Sequence, residues 1–262
     1  MAELVDALDS KSNGSNTVRV RFSLRPPRKK IIMNYFYEIS LRLNLLKNSI
    51  RNLLKNNDQD KNKKFIEKYF QNKKGIYVDV GSYHPIRISN TLNLYKRGWK
   101  GINIDISKKT IDLFKLARPN DTNLNLAAGS KNKNVYFFYD KDLSMVNSLN
   151  KNFFIKMSKK KAKSKKIKMR TLDFILNKFL RKKNINFLDI DAEGNDYDVL
   201  KGINLKKFNI EIILIEGHAY NLNLKKKCEK MLKYLNKNNF KLIYGSFPGN
   251  GIFKNKRFSY ND

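Results

Sequence analysis

The pattern of hydrophobic and polar residues changes near residue 75. Before that point, residues 33–57 carry apolar side chains at largely helical spacing with a basic polar side, which predicts an amphipathic helix. We treat 33–74 as a helical segment that precedes the main domain. After it, short apolar runs of strand length alternate with helical stretches. The candidate strands lie at 76–80, 101–106, 122–128, 135–139, 185–191, 210–216, 240–245 and 251–254.

Helical patterns fill most of the gaps between these strands, at 90–97, 108–117, 171–180, 196–200 and 224–238. Alternating strands and helices favour βαβ units and a parallel sheet. The last two strands are too close for a crossover and predict an antiparallel hairpin. We therefore predict an α/β fold for 75–262: Rossmann-like and doubly wound, with a mostly parallel seven-stranded sheet and a C-terminal antiparallel hairpin.

The segment at about 135–169 interrupts this rhythm. It holds one candidate strand, a polar stretch and a dense lysine run at 156–170. Because functional loops collect at the carboxyl ends of parallel strands, we expect an insertion that lies over the active-site edge.

Residues 1–32 differ from the rest of the chain. They lack its bias towards lysine, asparagine and isoleucine and show no clear periodicity. Leu4 to Ala7 and Val20 to Phe22 can be encoded by sequences that resemble the D-arm and T-arm of a transfer RNA gene. Our hypothesis is a spurious extension, with translation starting at Met33; the alternative is an ordinary disordered tail. We assign this segment no function.

Net charge at pH 7 is +32, which is typical of proteins that bind nucleic acid or membrane surfaces. Lysine, asparagine and isoleucine are abundant together, however, so an A/T-rich coding bias explains lysines spread along the chain. The basic helix at 33–57 is expected to dock on the domain, on a partner helix or on a membrane surface. There is no apolar run of membrane-spanning length and no signal-peptide pattern. Cys228 is the single cysteine, and we expect a reducing, cytoplasmic location.

Carboxylates close three of the predicted strands. Asp79 ends the first, Asp105 the second, and Asp189 with Asp191 the run "NFLDIDAEG". Asp105 follows Gly81 at about the spacing, roughly 20 residues, at which an acidic residue binds a ribose diol. A helix N-cap is the structural alternative for such a carboxylate.

The loop "GSYHPIRISNT" has Pro85 where a dinucleotide-binding turn needs a glycine. A proline offers no N–H group to a pyrophosphate. A nucleoside ligand without phosphates tolerates it, and S-adenosylmethionine is such a ligand. Acidic strand ends suit its amine and its sulfonium.

These motifs together resemble the FkbM-type methyltransferases. The resemblance covers about 75–253 and rests on D-V-G, S-N-T, G-W-x-G-I, D-x-E-G and a downstream I-E, in that order, with "MRTLDFIL" before the later strands. It implies an S-adenosylmethionine-dependent enzyme that is mostly associated with O-methylation. The chain departs from many members at Tyr83-His84-Pro85, where they have Asn-x-Gly.

The resemblance also implies a set of cofactor-binding residues. Asp105 would hold the ribose, and the loop after the first strand would shape the methionine end of the site. Ser89 and Asn90 would lie at the start of the helix that follows this loop. Ser89 serves equally well as a helix N-cap. Trp99 is interpreted as a packing residue. The full set is Asp79, Gly81, Ser82, Tyr83, Ser89, Asn90 and Asp105.

The candidate catalytic residues are Asp191, Glu193 and His218. Residues two apart on a strand share a face, so Asp189 and Asp191 point together, with Glu193 nearby. Clustered carboxylates raise one another's pKa and can leave one as a base, or they can hold a divalent metal. The structural alternative is a lysine pair for Asp189 and helix capping by Asn195. His218 follows the 210–216 strand and suits a general base.

We therefore expect methylation of a hydroxyl on a sugar, glycan or related metabolite. One alternative is an RNA methyltransferase that uses the lysine run, although the chain lacks an amine-methylation motif. The other is a non-catalytic binding domain of the same fold. Acceptor identity, metal use and oligomeric state stay open.

Overall fold

The computed structural model describes residues 28–54, 61–180, 184–218 and 221–259. Residues 1–27, most of the hypothetical extension, lie outside the described residues. The chain divides into two compact units, 1–38 and 39–262. In the first unit the described residues form the beginning of a helix, and Ile32 to Glu38 expose their side chains. The second unit contains both sheets.

Eight helices and ten strands are formed by the described residues. The helices are α1 (Arg28–Leu54), α2 (Lys61–Tyr69), α3 (Leu92–Lys96), α4 (Lys108–Ala117), α5 (Lys151–Ser158), α6 (Leu172–Phe179), α7 (Asp196–Lys201) and α8 (Leu222–Lys237). The strands are β1 (Ile76–Val80), β2 (Lys100–Asp105), β3 (Thr122–Asn125), β4 (Ala127–Ala128), β5 (Lys133–Tyr139), β6 (Lys163–Arg170), β7 (Asn184–Ile190), β8 (Asn209–Gly217), β9 (Phe240–Gly245) and β10 (Gly249–Asn255).

The main sheet has seven strands in the order β3-β2-β1-β7-β8-β10-β9. Strands β1, β2, β3, β7 and β8 pair in parallel, and β10 runs antiparallel to both β8 and β9. The predicted doubly wound, mostly parallel sheet with its C-terminal hairpin is confirmed. The register sets Asp79 beside Asp189 on neighbouring strands. Strand order reverses between β1 and β7, the position where such sheets bind ligands.

Both faces of the central strands β1, β2, β7 and β8 are buried, which explains why these strands read as nearly continuous apolar runs. In β1, Val78 and Val80 join the apolar cluster that also includes α6, α7 and α8 residues. Tyr77 points to the opposite face and packs with Phe70 and Trp99. Trp99 is 3% exposed and donates from Nε1 to the Lys73 carbonyl at 2.8 Å, in keeping with its predicted packing role. Each buried side chain of this kind stabilises the fold by roughly 1.5–3 kcal/mol.

A second, three-stranded sheet with the order β4-β6-β5 was not predicted. The lysine run has a single pair of apolar residues at strand spacing, Ile167 and Met169, yet its second half forms β6, because β5 supplies a seven-residue antiparallel partner. In β6 the lysines face solvent while Met169 is buried and Ile167 half-buried. The predicted strand 122–128 also splits at Leu126, so that β3 and β4 belong to different sheets.

The helices in the described part of the chain are not membrane spans. None of them is both long enough and apolar enough to cross a bilayer.

Candidate active site

A cavity of about 920 Å³, counting the space at its mouth, opens at the carboxyl ends of β1, β2 and β7. Apolar side chains from four segments line one part of it: Ile88, Ile104, Ile106, Leu126, Met145 and Leu149. Every cofactor-binding residue predicted from the sequence lies in its wall, as do Asp191 and Glu193. The loops after β1 and β7 meet here because the strand order reverses between them.

Gly81 lets these two loops touch. Its φ is +81°, and a Cβ built on it would lie 1.7 Å from the carbonyl oxygen of Asp191. The neighbouring backbone is held as well, because Gly81 N–H donates to the Ile104 carbonyl and Asp191 N–H to the Val80 carbonyl, each at 2.9 Å. Only glycine fits both the conformation and the space.

Asp79 and Asp189 lie side by side on the cavity floor, and each is 5% exposed. Thr91 Oγ1 donates to Asp79 at 2.7 Å, and Asn90 Nδ2 donates to Asp189 at 2.9 Å. Burial raises the pKa of Asp79, against the hydrogen bond from Thr91 and the nearby charge of Arg118. The S-N-T motif therefore supplies polar partners to two neighbouring strand carboxylates, and one partner of Asp189 is the Asn90 amide.

Arg118, which the sequence did not reveal, organises the loop that carries this motif. The side chain is 1% exposed and follows α4. Nη2 donates to the Pro85 carbonyl at 2.5 Å and to Ser89 Oγ at 2.8 Å, and Nη1 donates to Thr91 Oγ1 at 2.8 Å. Ser89 therefore lines the cavity as a partner of Arg118, and the helix cap suggested for it is not formed: α3 begins after Thr91, without a side-chain cap.

Asp105 closes β2 and is 9% exposed. Its carboxylate accepts hydrogen bonds from the backbone N–H groups of Tyr83 at 3.0 Å and Ser107 at 2.7 Å. Burial raises the pKa of Asp105 to about 6, although both backbone donors oppose the shift. Tyr83 takes a positive φ of 50°, which brings its N–H to this carboxylate. The helix that follows is capped by Ser107, so the N-cap alternative for Asp105 does not apply.

His84 explains the departure from the family pattern in this loop. It is 3% exposed, and its Nδ1 accepts from the backbone N–H groups of Ile86 at 3.1 Å and Arg87 at 3.0 Å. With Nδ1 accepting, Nε2 carries the proton and donates to Asn44 Oδ1 in α1 at 2.9 Å. The ring therefore caps the turn around Pro85 and ties it to α1.

The pKa of one histidine of the chain should lie below the ordinary histidine value of 6.5, and the pKa of the other should lie above it. Burial, helped by Arg87 and Arg118, lowers the pKa of His84 from 6.5 to about 4. Burial also acts to lower the pKa of His218, but the hydrogen bond and charge of Glu216 outweigh it and raise that pKa. NMR titration of the imidazole signals, assigned with a His84→Gln variant, measures both directly. Two midpoints near 6.5 would contradict this geometry.

These two pKa shifts change the free energy of unfolding in opposite directions as the pH falls. The unfolded chain protonates His84 below pH 6.5 while the folded chain does not, so this histidine should remove about 2–3 kcal/mol from the free energy of unfolding between pH 6.5 and 4.5. His218 stabilises the fold below pH 6.5, and this contribution is lost as the pH rises through its raised pKa. The difference in unfolding free energy between the parent chain and His84→Gln across this range measures the first effect.

Two buried polar atoms in the cavity wall have no partner within the described residues. Ser82 Oγ belongs to a side chain 5% exposed, and Asn147 Oδ1 to one 9% exposed. Asn147 Nδ2 donates to the carbonyls of Lys141 at 3.3 Å and Asp142 at 3.4 Å, which orients the amide. Because a buried polar group without a partner costs about 1–3 kcal/mol, both atoms indicate a ligand that supplies the missing hydrogen bonds.

The charge of the cavity opposes that of the whole chain. The described part of its wall contains no lysine, arginine or histidine, although the chain has 55 lysines and arginines and a net charge of +32. Its five carboxylates are Asp79, Asp105, Asp189, Asp191 and Glu193. Such a wall attracts a cationic ligand and repels a pyrophosphate.

A second group of titratable residues stands at the β7–β8 edge of the cavity. The ligand atoms of Glu193, Glu216 and His218 all lie within 4.8 Å of one another. His218 Nε2 lies 3.3 Å from Glu216 Oε2, and its ring centroid lies 5.0 Å from that of Phe153 in α5. Asp191 completes the group through a hydrogen bond between its carboxyl and that of Glu216. Of the three predicted catalytic residues, Asp191 and Glu193 line the cavity and His218 lies behind them.

Crowding of these acids separates their pKa values. Burial, and then the charges of Glu216 and Glu193, raise the pKa of Asp191 well above its ordinary value. Burial and Glu216 raise the pKa of Glu193 to about 8. Burial acts to raise the pKa of Glu216 as well, but His218 and the proton of Asp191 outweigh it and lower that pKa. The group can therefore give up or take up a proton near neutral pH.

The set of Glu193, Glu216 and His218 also offers the oxygen and nitrogen donors that a divalent cation uses. Sequence reasoning missed Glu216, although the I-E pair of the resemblance contains it. It also missed Asp196, which accepts from the backbone N–H groups of Ala192 at 2.6 Å and Gly194 at 3.1 Å. Asp196 thus holds the loop after β7, whereas Asn195 makes no side-chain cap. Its position within D-x-E-G-N-D was the available signal.

The segment around α5 contacts this edge directly. Ser148 Oγ donates to the Glu193 carbonyl at 2.7 Å, and Phe153 packs against Gly194, where the Cβ of any larger residue would lie 2.8 Å from the ring. Ser144, Met145, Asn147 and Leu149 supply part of the cavity wall. The interruption in the strand–helix rhythm therefore contributes side chains to the site.

Comparison with known proteins identifies the family of the chain. The profile of the methyltransferase FkbM domain matches residues 79–242, well over half of the chain. One similar solved structure is methyltransferase FkbM from Methylobacillus flagellatus KT, with 12% sequence identity and a TM-score of 0.42 over 69% of this chain. The match spans 43% of that protein. A search of the curated proteins finds no match. The profile match carries the assignment: the chain belongs to the FkbM methyltransferase domain family.

Proposed function

We propose that the protein is an S-adenosylmethionine-dependent methyltransferase that acts on a hydroxyl of a sugar, glycan or related metabolite. The observation that carries the proposal is the acidic cavity in a strongly basic chain: five carboxylates and no basic residue in its described wall. A nucleoside with an amine and a sulfonium and without phosphates suits this wall. When bound, it would supply the electrophilic methyl group.

The residues present fit this cofactor in three ways. Asp105 keeps acceptor capacity for a ribose diol, because a carboxylate offers about four lone-pair sites and two are used by backbone donors. Ser82 Oγ and Asn147 Oδ1 are buried atoms without a hydrogen-bond partner among the described residues, and polar groups of the cofactor could bond to both. The apolar residues Ile104, Ile106 and Leu126 of the wall provide a surface for a flat adenine ring.

The β7–β8 edge would serve the acceptor. A hydroxyl that enters beside Glu193 would pass its proton to the group formed by Glu193, Glu216 and His218, which would leave its oxygen able to accept the methyl group that the bound cofactor would supply. Glu216 stabilises the protonated imidazole of His218 at 3.3 Å. The remaining contribution of the protein is orientation of the oxygen in line with the sulfonium.

Transfer of an isotopically labelled methyl group tests this function. We expect label from S-adenosylmethionine in a hydroxyl-bearing sugar or glycan, in a bond that resists mild base as an ether does. Label that mild base removes would indicate a carboxylate acceptor, and label on a nucleobase or amine would likewise contradict the O-methylation proposed here.

A nucleic-acid acceptor is the weaker candidate. The exposed lysines of β6 would attract RNA, and Lys165 and Lys166 line a second, separate cavity. A phosphodiester backbone would, however, have to approach the carboxylates that surround the main cavity.

The single Cys228 is buried and unpaired, which supports the cytoplasmic location that completes the proposal.

Replacing Asn147 by alanine should weaken binding of the adenosine part of the cofactor by about tenfold, the value of one lost hydrogen bond. Asn147 shares the Asp142 carbonyl with Ser107 Oγ, which places it beside Asp105 rather than at the β7–β8 edge. Calorimetry with S-adenosylhomocysteine and with adenosine should show the same loss for both ligands. The exposed Asn152 of α5 provides the control, because Asn152→Ala should leave both affinities unchanged. Equal affinities for Asn147→Ala and the parent chain would exclude this contact.

A further inference from the structure

Helix α1 has two apolar faces in the second unit, and among the described residues only one of these faces packs on the rest of the protein. Leu41 is 4% exposed, and Asn44 on the same side accepts the hydrogen bond from buried His84. The other face carries leucine and isoleucine side chains that lie open to solvent: Leu43 at 60%, Leu46 at 57%, Ile50 at 48%, and Leu53 and Leu54 at 81% exposure.

These five residues, here called the outer stripe, follow helical spacing. Side chains three or four residues apart lie on one face of a helix, and Leu43, Leu46, Ile50 and Leu53 are related in this way. Leu54 lies beside them, one residue on. At about 100° per residue, Leu46 and Ile50 point away from the side that holds Leu41 and Asn44. The stripe is therefore not the edge of the core but a separate apolar surface.

Basic residues flank the outer stripe. Arg42, Lys47 and Arg51 are exposed, and residues 39–54 contain no aspartate or glutamate. An exposed apolar stripe beside lysine and arginine side chains is the pattern of helices that lie in the interface of a membrane. The long basic side chains can reach lipid phosphates while the leucines enter the acyl boundary.

We propose that α1 binds the surface of an anionic lipid bilayer through the outer stripe. Charge decides between the occupants of this surface. A second copy of the chain would bring the same arginines and lysine against those of the first, and nucleic acid has no apolar phase in which to bury leucines. An anionic bilayer offers both the opposite charge and the apolar layer.

Membrane binding would also act close to the candidate active site. The packed side of α1 reaches the loop after β1 through the hydrogen bond between Asn44 and His84. That loop contains Ser82 and Tyr83 of the cavity wall. A helix lying on a bilayer would hold the cavity near that surface, a position suited to an acceptor presented there.

Fluorescence of a Leu46→Trp variant of the full chain tests insertion. The native Trp99 is 3% exposed, so its emission should stay constant. With phosphatidylglycerol–phosphatidylcholine vesicles, the emission of Leu46→Trp should shift to the blue and be quenched by brominated acyl chains. Leu222→Trp, at a 75% exposed position of α8, is the control and should show neither change. The absence of a shift and of quenching in Leu46→Trp would overturn the proposal.

A second measurement separates insertion from general attraction by the +32 charge of the chain. Salt at about 0.5 M screens most electrostatic binding, so what remains reports the apolar contribution. Under that condition, Leu46→Ser/Ile50→Ser should cosediment with the vesicles at least about tenfold less than the parent chain, because two apolar side chains no longer leave water. Leu222→Ser/Phe174→Ser, at similarly exposed positions, should behave like the parent chain.

Other outcomes would overturn the inference. Equal cosedimentation of Leu46→Ser/Ile50→Ser and the parent chain would show that the stripe does not contact lipid. Dimerisation that this variant abolishes, in a chain that does not insert, would assign the stripe to a second copy. Calorimetry with S-adenosylhomocysteine confirms that both double variants keep the parent fold, and vesicle binding is read independently of methyl transfer.

Discussion

Replacing Gly81 by alanine should reduce the free energy of unfolding by about 3–5 kcal/mol, an exceptional loss for the addition of one methyl group. The new Cβ would lie 1.7 Å from the Asp191 carbonyl oxygen, and the residue would also have to hold a φ of +81°. The contact joins the loops after β1 and β7, so relief of the clash must separate the two sides of the cavity. Binding of S-adenosylhomocysteine should therefore be lost in the fraction that stays folded.

Gly98 provides a matched control for the backbone term. Its φ is +84°, nearly the same as that of Gly81, but no atom lies within 4 Å of a Cβ built there. Gly98→Ala should therefore cost only about 1–2 kcal/mol, the price of a left-handed conformation for a residue with a Cβ. Denaturant unfolding of both variants isolates the steric part as the difference between them. Similar losses in the two variants would show that the loops can separate without damage and would contradict the close approach described here.

Removing the carboxylate of Asp105 should weaken binding of S-adenosylmethionine by about 100-fold, since charge-assisted hydrogen bonds to a ribose diol are among the strongest available to this ligand. Asp105→Asn keeps the shape and removes the charge, and calorimetry measures the loss. Asp198→Ala is the control. The Asp198 carboxylate lies 2.7 Å from Lys201 Nζ and does not line the main cavity, so its removal should not affect affinity. An affinity for Asp105→Asn within about twofold of the parent chain would remove this residue from the proposed site.

The raised pKa of Asp105 gives this contact a pH dependence. Protonation near pH 6 would remove an acceptor site from the carboxylate, so affinity for the cofactor should fall as the pH decreases through about 6. The same measurement on Asp105→Asn should be flatter over that range. Asp105 also holds the backbone N–H groups of Tyr83 and Ser107. Thermal unfolding of the variant therefore accompanies the calorimetry and distinguishes lost affinity from lost folding.

The sequence was most informative where residue order alone determines structure. Apolar runs buried on both faces identify β1, β7 and β8, and the crossover lengths determine which strands run parallel. Since parallel strands end at one edge, the terminal carboxylates Asp79 and Asp105 could be placed together before any coordinates were known. All seven predicted cofactor-binding residues lie in the cavity wall, although the loop residues among them were predicted from the family resemblance rather than from strand direction.

Features that depend on long-range pairing were not visible. Strand β6 has a lysine-rich sequence, and its pairing with β5 decides its structure. Arg118 is one basic residue among 55, and only its four buried contacts reveal its role in the loop. His84 was noted only as part of a departure from the family pattern, whereas its ring accepts hydrogen bonds from two backbone N–H groups of the turn.

The reaction edge was predicted in part. Asp191 and Glu193 were predicted because D-x-E-G follows a buried strand, but the approach of Glu216 to these two residues required the register of β8 beside β7. Residues two apart at the end of a strand share a face, so the I-E-G-H sequence contained the signal in retrospect. Asp196 rather than Asn195 holds the loop after β7, and its position at the end of D-x-E-G-N-D was the one local signal for this role.

Calorimetric titration of the full chain with S-adenosylmethionine and, separately, with NAD tests the central claim most directly. An acidic cavity whose loop carries Pro85 in place of a phosphate-binding glycine should bind S-adenosylmethionine at one site with a Kd of micromolar order, about −8 kcal/mol, and should neither bind NAD nor release the first ligand to it. Heat of binding with NAD, or none with S-adenosylmethionine, would contradict the account.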